Sequence, residues 1–394
     1  MRSAVTPEQL AGLRARLVAY LRSRGDLRTA RVAAAFERVP RHLFVPQVSP
    51  EEAYADRSIA IKLDDGVPIS SSSQPAIMAE MLELLAPREG DRVLEIGTGS
   101  GYNAALLGEL TGPAGFVESI DLDPELVAAA AARLSELGYA QVRTVCGDGA
   151  HGDPAGARSD AVIATVGVER IPPAWIAQLR LGGRLVAPLT LRSMQKVVAF
   201  ERTEHGLRSI AVVDAGFMML RGPSATFDTR LIAIGDPTLA LRVLCGNEVD
   251  AGAIERSLRE RPLEAATARR VRVDEVWNGL TLWLALHEET FCRITAHGPN
   301  PSRGFVPNLA SGGESQYGFA TTVGTCAGSE LVLFAPRNAH DVALRGYGPS
   351  GGGIARLQHA IENWDDAGRP GNADLRITVD LDGTTHAALS PRYQ

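Results

Sequence analysis

The chain has little lysine, little aromatic character and few cysteines. Lys62 and Lys196 are its two lysines, so arginine carries nearly all of the positive charge. That is a bias of composition and carries no functional signal. The formal charge is −6 over 394 residues, with no long run of one sign. Nonspecific nucleic-acid binding needs a basic face, so no nucleic-acid partner is expected. Cys146, Cys245, Cys292 and Cys326 lie far apart and form no C-x-x-C pair. His287, His297, His340 and His359 show no ligand spacing either. Neither a metal site nor a disulfide framework is suggested, and a reducing cytoplasmic location is the default expectation. The N-terminus lacks the apolar core of a signal peptide. No apolar run is long enough to span a bilayer, so no membrane partner is expected. The length suits two domains or three, each with its own core.

What is present is a strand, a glycine turn and a helix at Arg92–Asn103. Val93-Leu94-Glu95-Ile96 reads as a buried parallel strand. Gly97, Gly99 and Gly101 follow at alternate positions, and Tyr102–Leu110 resumes with helical spacing. Such a unit opens a nucleotide-binding βαβ fold. Phe116–Ile120 reads as the second strand and ends at Asp121, about 20 residues past the glycines, where an acidic side chain takes ribose hydroxyls. Pro124–Leu137 reads as a helix and Val142–Val145 as the third strand, closed by Gly147-Asp148-Gly149. The later strands are expected at Ala161–Val166 and Arg184–Pro188, with a helix at Ile171–Leu179 between them. Val197–Glu201 and Ser209–Val213 look like a closing antiparallel pair.

A dinucleotide fingerprint places its third glycine at the sixth position. Counting from Gly97, that position is Tyr102, and the third glycine comes one residue early, at Gly101. The G-x-G-x-G form suits S-adenosyl-L-methionine. Its amino-acid end lies against the loop Gly97-Thr98-Gly99-Ser100-Gly101, and its ribose reaches the acid on the next strand. Glu95, Asp121, Asp148 and Gly149 at successive strand ends strengthen the reading.

Upstream, Thr6-Pro7-Glu8-Gln9 reads as a capped helix start. His42, flanked by prolines and apolar residues, reads as a structural residue of a lid or loop. Ser70-Ser71-Ser72-Ser73-Gln74-Pro75 precedes an amphipathic helix at Ala76–Leu85, which places the serines at a helix N-terminus, where hydroxyls and free N–H groups can hold a carboxylate.

The run from Val32 to Pro188 resembles the protein-L-isoaspartate O-methyltransferase family. The matching pieces are Val39–Pro46, Ala53-Tyr54-Ala55-Asp56, Ser73-Gln74-Pro75, Met81–Leu85, Val93–Tyr102, Gly147-Asp148-Gly149 and Gln178–Val186. The resemblance implies an enzyme of the doubly wound, Rossmann-like α/β class I S-adenosylmethionine-dependent methyltransferases, with a peptide or protein substrate bearing Asp or isoAsp. It puts the active-site serine on Ser73 and the acceptor side on Ser71, Ser72, Gln74 and Thr165. The cofactor loop falls on Gly97–Gly101, the ribose acid on Asp121 and the adenine side on Asp148 and Gly149. Two stretches depart from the family pattern: the all-serine run before Gln74, and Thr165-Val166-Gly167-Val168 where the family is alanine-rich. Both touch the acceptor pocket.

The expected organisation is an N-terminal lid region at 1–75, a methyltransferase core at 76–222 and a C-terminal α+β domain at 223–394. In the last, helices are expected at Ala251–Arg261 and Ile354–Trp364 and strands at Leu331–Phe334, Val342–Arg345 and Leu375–Val379. Trp283 and Leu284 are core candidates, Gly312-Gly313 a turn, and Gly351–Gly353 a plain helix-start loop, since no Lys-Ser/Thr follows it. This long form resembles the actinobacterial branch that methylates an ordinary aspartate in a ribosomal precursor peptide of lanthipeptide or graspetide clusters, giving aspartimide or isoaspartate. That resemblance makes aspartate esterification the leading expectation and isoaspartate repair the alternative. A non-catalytic S-adenosylmethionine-binding module is the third. By resemblance and elimination, the C-terminal domain is assigned to peptide binding or self-association.

Overall fold

The computed structural model describes residues 5–64, 67–192, 194–297, 304–309 and 319–390. The turn expected at Gly312-Gly313 lies outside them. By internal contacts the chain divides into two units. One comprises Met1–Leu189, Gln195–Thr226 and Thr378–His386, the other Thr190–Met194, Phe227–Ile377 and Ala387–Gln394.

The first unit begins with α1 (Pro7–Arg24), α2 (Ala30–Arg38), α3 (Arg41–Phe44) and α4 (Pro50–Ala53). The capping box at α1 forms as its residues dictate. Thr6 Oγ1 accepts from the Gln9 amide at 3.3 Å and Gln9 Oε1 from the Thr6 amide at 2.8 Å. Thus two of the helix's orphan donors are satisfied reciprocally. A hairpin follows, β1 (Ile59–Asp64) paired antiparallel with β2 (Val67–Ser72), and then α5 (Pro75–Leu85).

The sheet proper holds β3 (Arg92–Ile96), β4 (Phe116–Asp121), β5 (Val142–Cys146), β6 (Ser159–Ala164), β7 (Leu179–Leu191), β8 (Met194–Thr203) and β9 (Gly206–Asp214). α6 (Tyr102–Thr111) follows β3, α7 (Pro124–Glu136) follows β4 and α8 (Pro173–Gln178) follows β6. Val93, Leu94 and Ile96 are all buried, as expected of a strand covered by helices on both faces. β5, β4, β3, β6 and β7 run parallel in that spatial order. The chain builds outward from β3 in one direction and then resumes from β3 in the other. The crevice at the carboxyl ends of β3, β4 and β6 is therefore the topological switch point, where open α/β sheets bind ligands.

The second unit is built on β10 (Thr229–Ile234), β11 (Asp236–Leu244), β12 (Leu263–Ala265), β13 (Phe291–His297), β14 (Phe319–Ala327), β15 (Glu330–Pro336) and β16 (Val342–Tyr347). They form one antiparallel sheet in the order β10-β11-β13-β14-β15-β16-β12. β13 shows how the two-residue period divides its side chains. Cys292, Ile294 and Ala296 join a core with Ile254 and Leu258 of helix Ala251–Leu258. Phe291 joins another with Leu284 of Thr281–His287 and Trp364 of Gly351–Asp366. Leu284 is fully buried, while Trp283 is half-buried against the same cluster. The start of the Gly351 helix is satisfied internally, because Glu330 Oε1 accepts from the Gly353 amide at 2.6 Å.

The last strands, β17 (Leu375–Asp380) and β18 (Thr385–Leu389), add to the first sheet, with Val379 opposite Leu207 of β9. All four cysteines are free thiols, with Cys292 and Cys326 buried. Among the described residues no helix is long and apolar enough to cross a membrane, and no group of three or more His, Cys, Asp or Glu is placed to hold a metal ion.

One sequence expectation needs correction. Ser70, Ser71 and Ser72 do not lie at a helix N-terminus but on the strand β2, and Gln74 holds the N-cap position of α5 without a side-chain cap bond. The free amide of Ala76 is already taken by Asp56 Oδ1 at 2.9 Å. Pro75 at the first helical position and the pairing of β2 with β1 together keep the serines extended.

Candidate active site

The glycine turn sits where β3 ends. Gly97 has φ 101° and Gly99 φ 51°, in the left-handed region that disfavours residues with a Cβ. A Cβ on Gly97 would lie 2.5 Å from Thr165 Oγ1, and that hydroxyl donates to the Gly97 carbonyl at 2.8 Å. A Cβ on Gly99 would lie 3.5 Å from the Ser71 carbonyl and 3.8 Å from Ser70 Oγ. A Cβ on Gly101 would lie 3.0 Å from Ala130 Cβ of α7, so this glycine lets turn and helix pack closely. The three positions thus face the loop after β6, the serine strand and the next helix.

The acids differ in kind. Asp121, half-buried at the end of β4, accepts from the Gly99 amide at 2.9 Å through Oδ2 and from the Asp123 amide at 3.1 Å through Oδ1. Each oxygen keeps a further lone pair, so the carboxylate can still accept from a diol. Asp148 accepts from the Ala150 amide at 3.0 Å and the Ser224 amide at 3.2 Å. Burial pushes its carboxyl up, but these amides and the Ser224 hydroxyl more than offset it and hold it below the ordinary range. Gly149 must be a glycine, since a Cβ there would lie 2.5 Å from Ile96 Cγ2. Its carbonyl accepts from Trp175 Nε1 at 2.8 Å.

Glu95 is fully buried within β3. It accepts from Asn103 Nδ2 at 2.7 Å and from Ser119 Oγ at 2.5 Å. Ser119 Oγ also contacts Thr98 Oγ1 at 2.7 Å. Burial pushes the Glu95 carboxyl up to about 7. The Ser119 and Asn103 hydrogen bonds oppose that shift and the nearby Asp121 charge adds to it. The geometry makes Glu95 a brace joining β3, β4, α6 and the turn.

On the acceptor side, Ser73 leaves β2 and leads into α5. Its carbonyl accepts from Arg41 Nη2 at 3.0 Å, and the same nitrogen donates to the Arg57 carbonyl at 3.2 Å. Arg41 is completely buried and lies over the Tyr102 ring, 5.6 Å from its centroid. Burial lowers its pKa, against the opposing pull of Tyr102, Asp56 and Tyr54. Asp56 holds the other side of the turn, accepting from Gln74 Nε2 at 2.9 Å as well as from Ala76. Ser72 Oγ is buried with no hydrogen-bond partner among the described residues. The loop after β6 is fixed in turn, the Gly167 amide donating to the Met218 carbonyl at 2.8 Å.

The structure therefore gathers Ser70, Ser71, Thr165, Gly97, Gly99, Asp121 and Gly149 around the carboxyl end of β3. It leaves His42 apart, in α3, where Nδ1 contacts Tyr54 Oη at 2.9 Å. Arg41, Asp56 and Ser224 escaped assignment from sequence. The first two lie in stretches of recognisable pattern but act through backbone groups, which residue type does not reveal. Ser224 lies in a Gly-Pro-Ser stretch that reads as linker.

His151 lies beside Asp148, with Nε2 3.2 Å from Ser224 Oγ, and Cys146 stands opposite Asp121 in the strand pairing. The arrangement can hold an anionic or zwitterionic ligand at the turn, a diol at Asp121 and a small polar acceptor beside Ser71–Ser73. That pattern suits group transfer by positioning rather than by proton abstraction.

Comparison with known proteins agrees. A family model described as protein-L-isoaspartate(D-aspartate) O-methyltransferase matches residues 13–219. The chain is 41% identical over 194 residues to the protein-L-isoaspartate O-methyltransferase of Methanopyrus kandleri, covering 49% of this chain and 84% of that one. It is 41% identical over 210 residues to protein-L-isoaspartate O-methyltransferase 2 of Archaeoglobus fulgidus, covering 53% and 93%. A solved protein-L-isoaspartate O-methyltransferase structure is similar in fold over 96% of this chain and 99% of its own, with a TM-score of 0.55 and 24% identity.

Proposed function

Because the chain belongs to the protein-L-isoaspartate(D-aspartate) O-methyltransferase family, we propose that it methylates the free carboxylate of isoaspartate residues in proteins or peptides. It is a protein carboxyl O-methyltransferase, its fold is that of class I S-adenosylmethionine-dependent methyltransferases, and its methyl donor is S-adenosylmethionine. The observation that carries the acceptor reading is the approach of the serine strand to the Gly99 turn, with the Ser71 carbonyl 3.5 Å from where a Cβ would stand.

The residues fit the donor. Gly97, Thr98, Gly99, Ser100 and Gly101 would hold its amino-acid end, Asp121 its ribose hydroxyls, and Asp148 and Gly149 its adenine side. S-adenosylmethionine supplies an electrophilic methyl group on a sulfonium. The acceptor carboxylate is already ionised at neutral pH, so no general base is needed. Ser73 orients that carboxylate or its neighbouring amide, with Arg41, Asp56 and Gln74 fixing the turn. Placing the oxygen in line with the methyl supplies on the order of 7–11 kcal/mol of the barrier. Glu95 acts indirectly, by bracing the turn.

A second reading is esterification of an ordinary aspartate in a modified ribosomal precursor peptide, where attack of a backbone amide on the ester expels methanol and leaves an aspartimide. The serine run Ser70–Ser73, along β2 and just past its end, and the Thr165–Val168 stretch favour an altered acceptor pocket. Length does not favour it, because a solved protein-L-isoaspartate O-methyltransferase is matched over nearly its whole chain. Residues 223–394 are assigned to peptide binding under both readings.

Mass spectrometry of matched Asp and isoAsp peptides, incubated with enzyme and S-adenosylmethionine, tests the assignment. Gain of one methyl on the isoAsp peptide alone is expected. Methylation of a precursor aspartate with isoAsp peptides untouched establishes the second reading. Binding of S-adenosylmethionine without methylation of either peptide would mean a non-catalytic module.

A further inference from the structure

Of the chain's two lysines, Lys196 is completely buried and paired with Asp214. Lys62 is placed quite differently. It lies on β1 opposite Ser70 of β2, with a register shift on either side of it. Its Nζ donates to Asp123 Oδ2 at 2.6 Å and to Glu125 Oε2 at 2.7 Å.

Asp123 is no ordinary surface acid. It is the N-cap of α7, its Oδ1 accepting from the Glu125 amide at 3.0 Å and the Leu126 amide at 3.3 Å. Its own amide donates to Asp121 Oδ1, whose partner oxygen takes the Gly99 amide. A continuous chain of bonds thus runs from Lys62 through Asp123 and Asp121 to the glycine turn. From the other side, the hairpin rests on that turn, with Ile61 Cδ1 3.7 Å and Ser71 O 3.5 Å from the Gly99 Cβ position. β2 then leads directly into Ser73. One strand pair therefore touches both the donor turn and the acceptor serines, and a single ammonium ties it to the end of β4.

We propose that Lys62 is a positioning residue that fastens the serine-bearing hairpin to the ribose end of the methyl-donor site, coupling donor occupancy at Asp121 to the order of Ser71–Ser73. The inference rests on the methyl-donor reading above. A donor ribose held by Asp121 steadies the turn that Lys62 grips, and the steadied hairpin presents its serines at lower ordering cost. Coupling of this kind is reciprocal, so acceptor binding slows donor release. An isolated exposed ion pair contributes little. Here, however, one ammonium bridges two carboxylates, and Asp123 keeps only 12% of its side chain exposed. Being ionic and near the surface, the link weakens with salt.

The test uses the full chain and S-adenosylhomocysteine as probe. Its dissociation rate is measured at low and high ionic strength for wild type, Lys62→Met and Lys62→Arg, and amide hydrogen exchange of β1 and β2 is followed with and without the probe. In wild type, the probe protects both strands and leaves faster at high salt. In Lys62→Met, release is about three- to tenfold faster, its salt dependence shrinks, and protection of β1 and β2 is lost while that of β6 and β7 stays. Lys62→Arg restores wild-type release. Unchanged release and protection in Lys62→Met overturn the coupling alone. Loss of protection in β6 and β7 as well shows general destabilisation and also overturns it. A wild-type chain that binds no S-adenosylhomocysteine overturns the methyl-donor reading, and the coupling with it.

Discussion

Replacing Glu95 with glutamine flattens the pH dependence of first-unit stability between pH 4.5 and about 7. The carboxyl is fully buried, and burial raises its pKa from 4.5 to about 7 in the folded state. Between those values the folded chain holds a proton that the unfolded chain has released. Stability from this group is therefore full below pH 4.5, is lost as pH rises to about 7, and is constant above. Two and a half units at about 1.4 kcal/mol each make the loss about 3–4 kcal/mol. The proton has a place to go. A protonated Glu95 Oε2 donates to Ser119 Oγ, which turns its own hydrogen toward Thr98 Oγ1 at 2.7 Å. Glutamine keeps the acceptor for Asn103 and cannot ionise. Because the chain has two units, a global melt is a poor measure. Amide exchange of β3 and β4 under native conditions, at a series of pH values, reports the opening free energy of the right unit. The wild-type value falls by about 3–4 kcal/mol relative to Glu95→Gln across the window. Parallel pH curves for the two proteins would refute the burial argument.

Other perturbations bear on the site itself. Ser73→Ala lowers the single-turnover methylation rate about ten- to a hundredfold, the worth of a hydrogen bond to a charged group, with S-adenosylhomocysteine affinity unchanged; an unchanged rate would remove Ser73 from the chemistry. Gly97→Ala drives a Cβ into Thr165 Oγ1 at φ 101° and costs about 1–3 kcal/mol, read as weaker donor binding in calorimetry. Adding Thr165→Ala relieves the clash but not the dihedral, so full recovery in the double variant would show the strain argument to be wrong. Asp56→Asn loosens the start of α5 by about 1 kcal/mol and raises KM for the acceptor peptide more than that for the donor. An equal rise in both would mean that Asp56 does not act through the serine turn.

Much of the donor site was legible because its determinants are local. The early third glycine, the apolar run before it and the acid at the end of the next strand are properties of short segments, and a βαβ unit has few ways to fold. The boundaries of β4 and α7 fall within a residue of expectation for the same reason. The acceptor side was less legible. Four serines before a proline look the same whether they cap a helix or run along a strand. What decides is the pairing of Ser72 with Ile59 and Ser71 with Ala60, contacts made between strands with residues of ordinary type.

By itself, then, the sequence determined the methyl donor and the chemical class, since strand period, glycine spacing and acidic positions are read along the chain. Only the tertiary structure decided what each polar residue does. It buried Glu95 against Ser119 and Asn103, and it set the Arg41 guanidinium behind the Ser73 carbonyl. It made Asp56 the partner of the Ala76 amide and brought Lys62 against the cap of α7. Those roles depend on which backbone group or charge lies opposite across dozens of residues of chain, and residue type and spacing do not specify that.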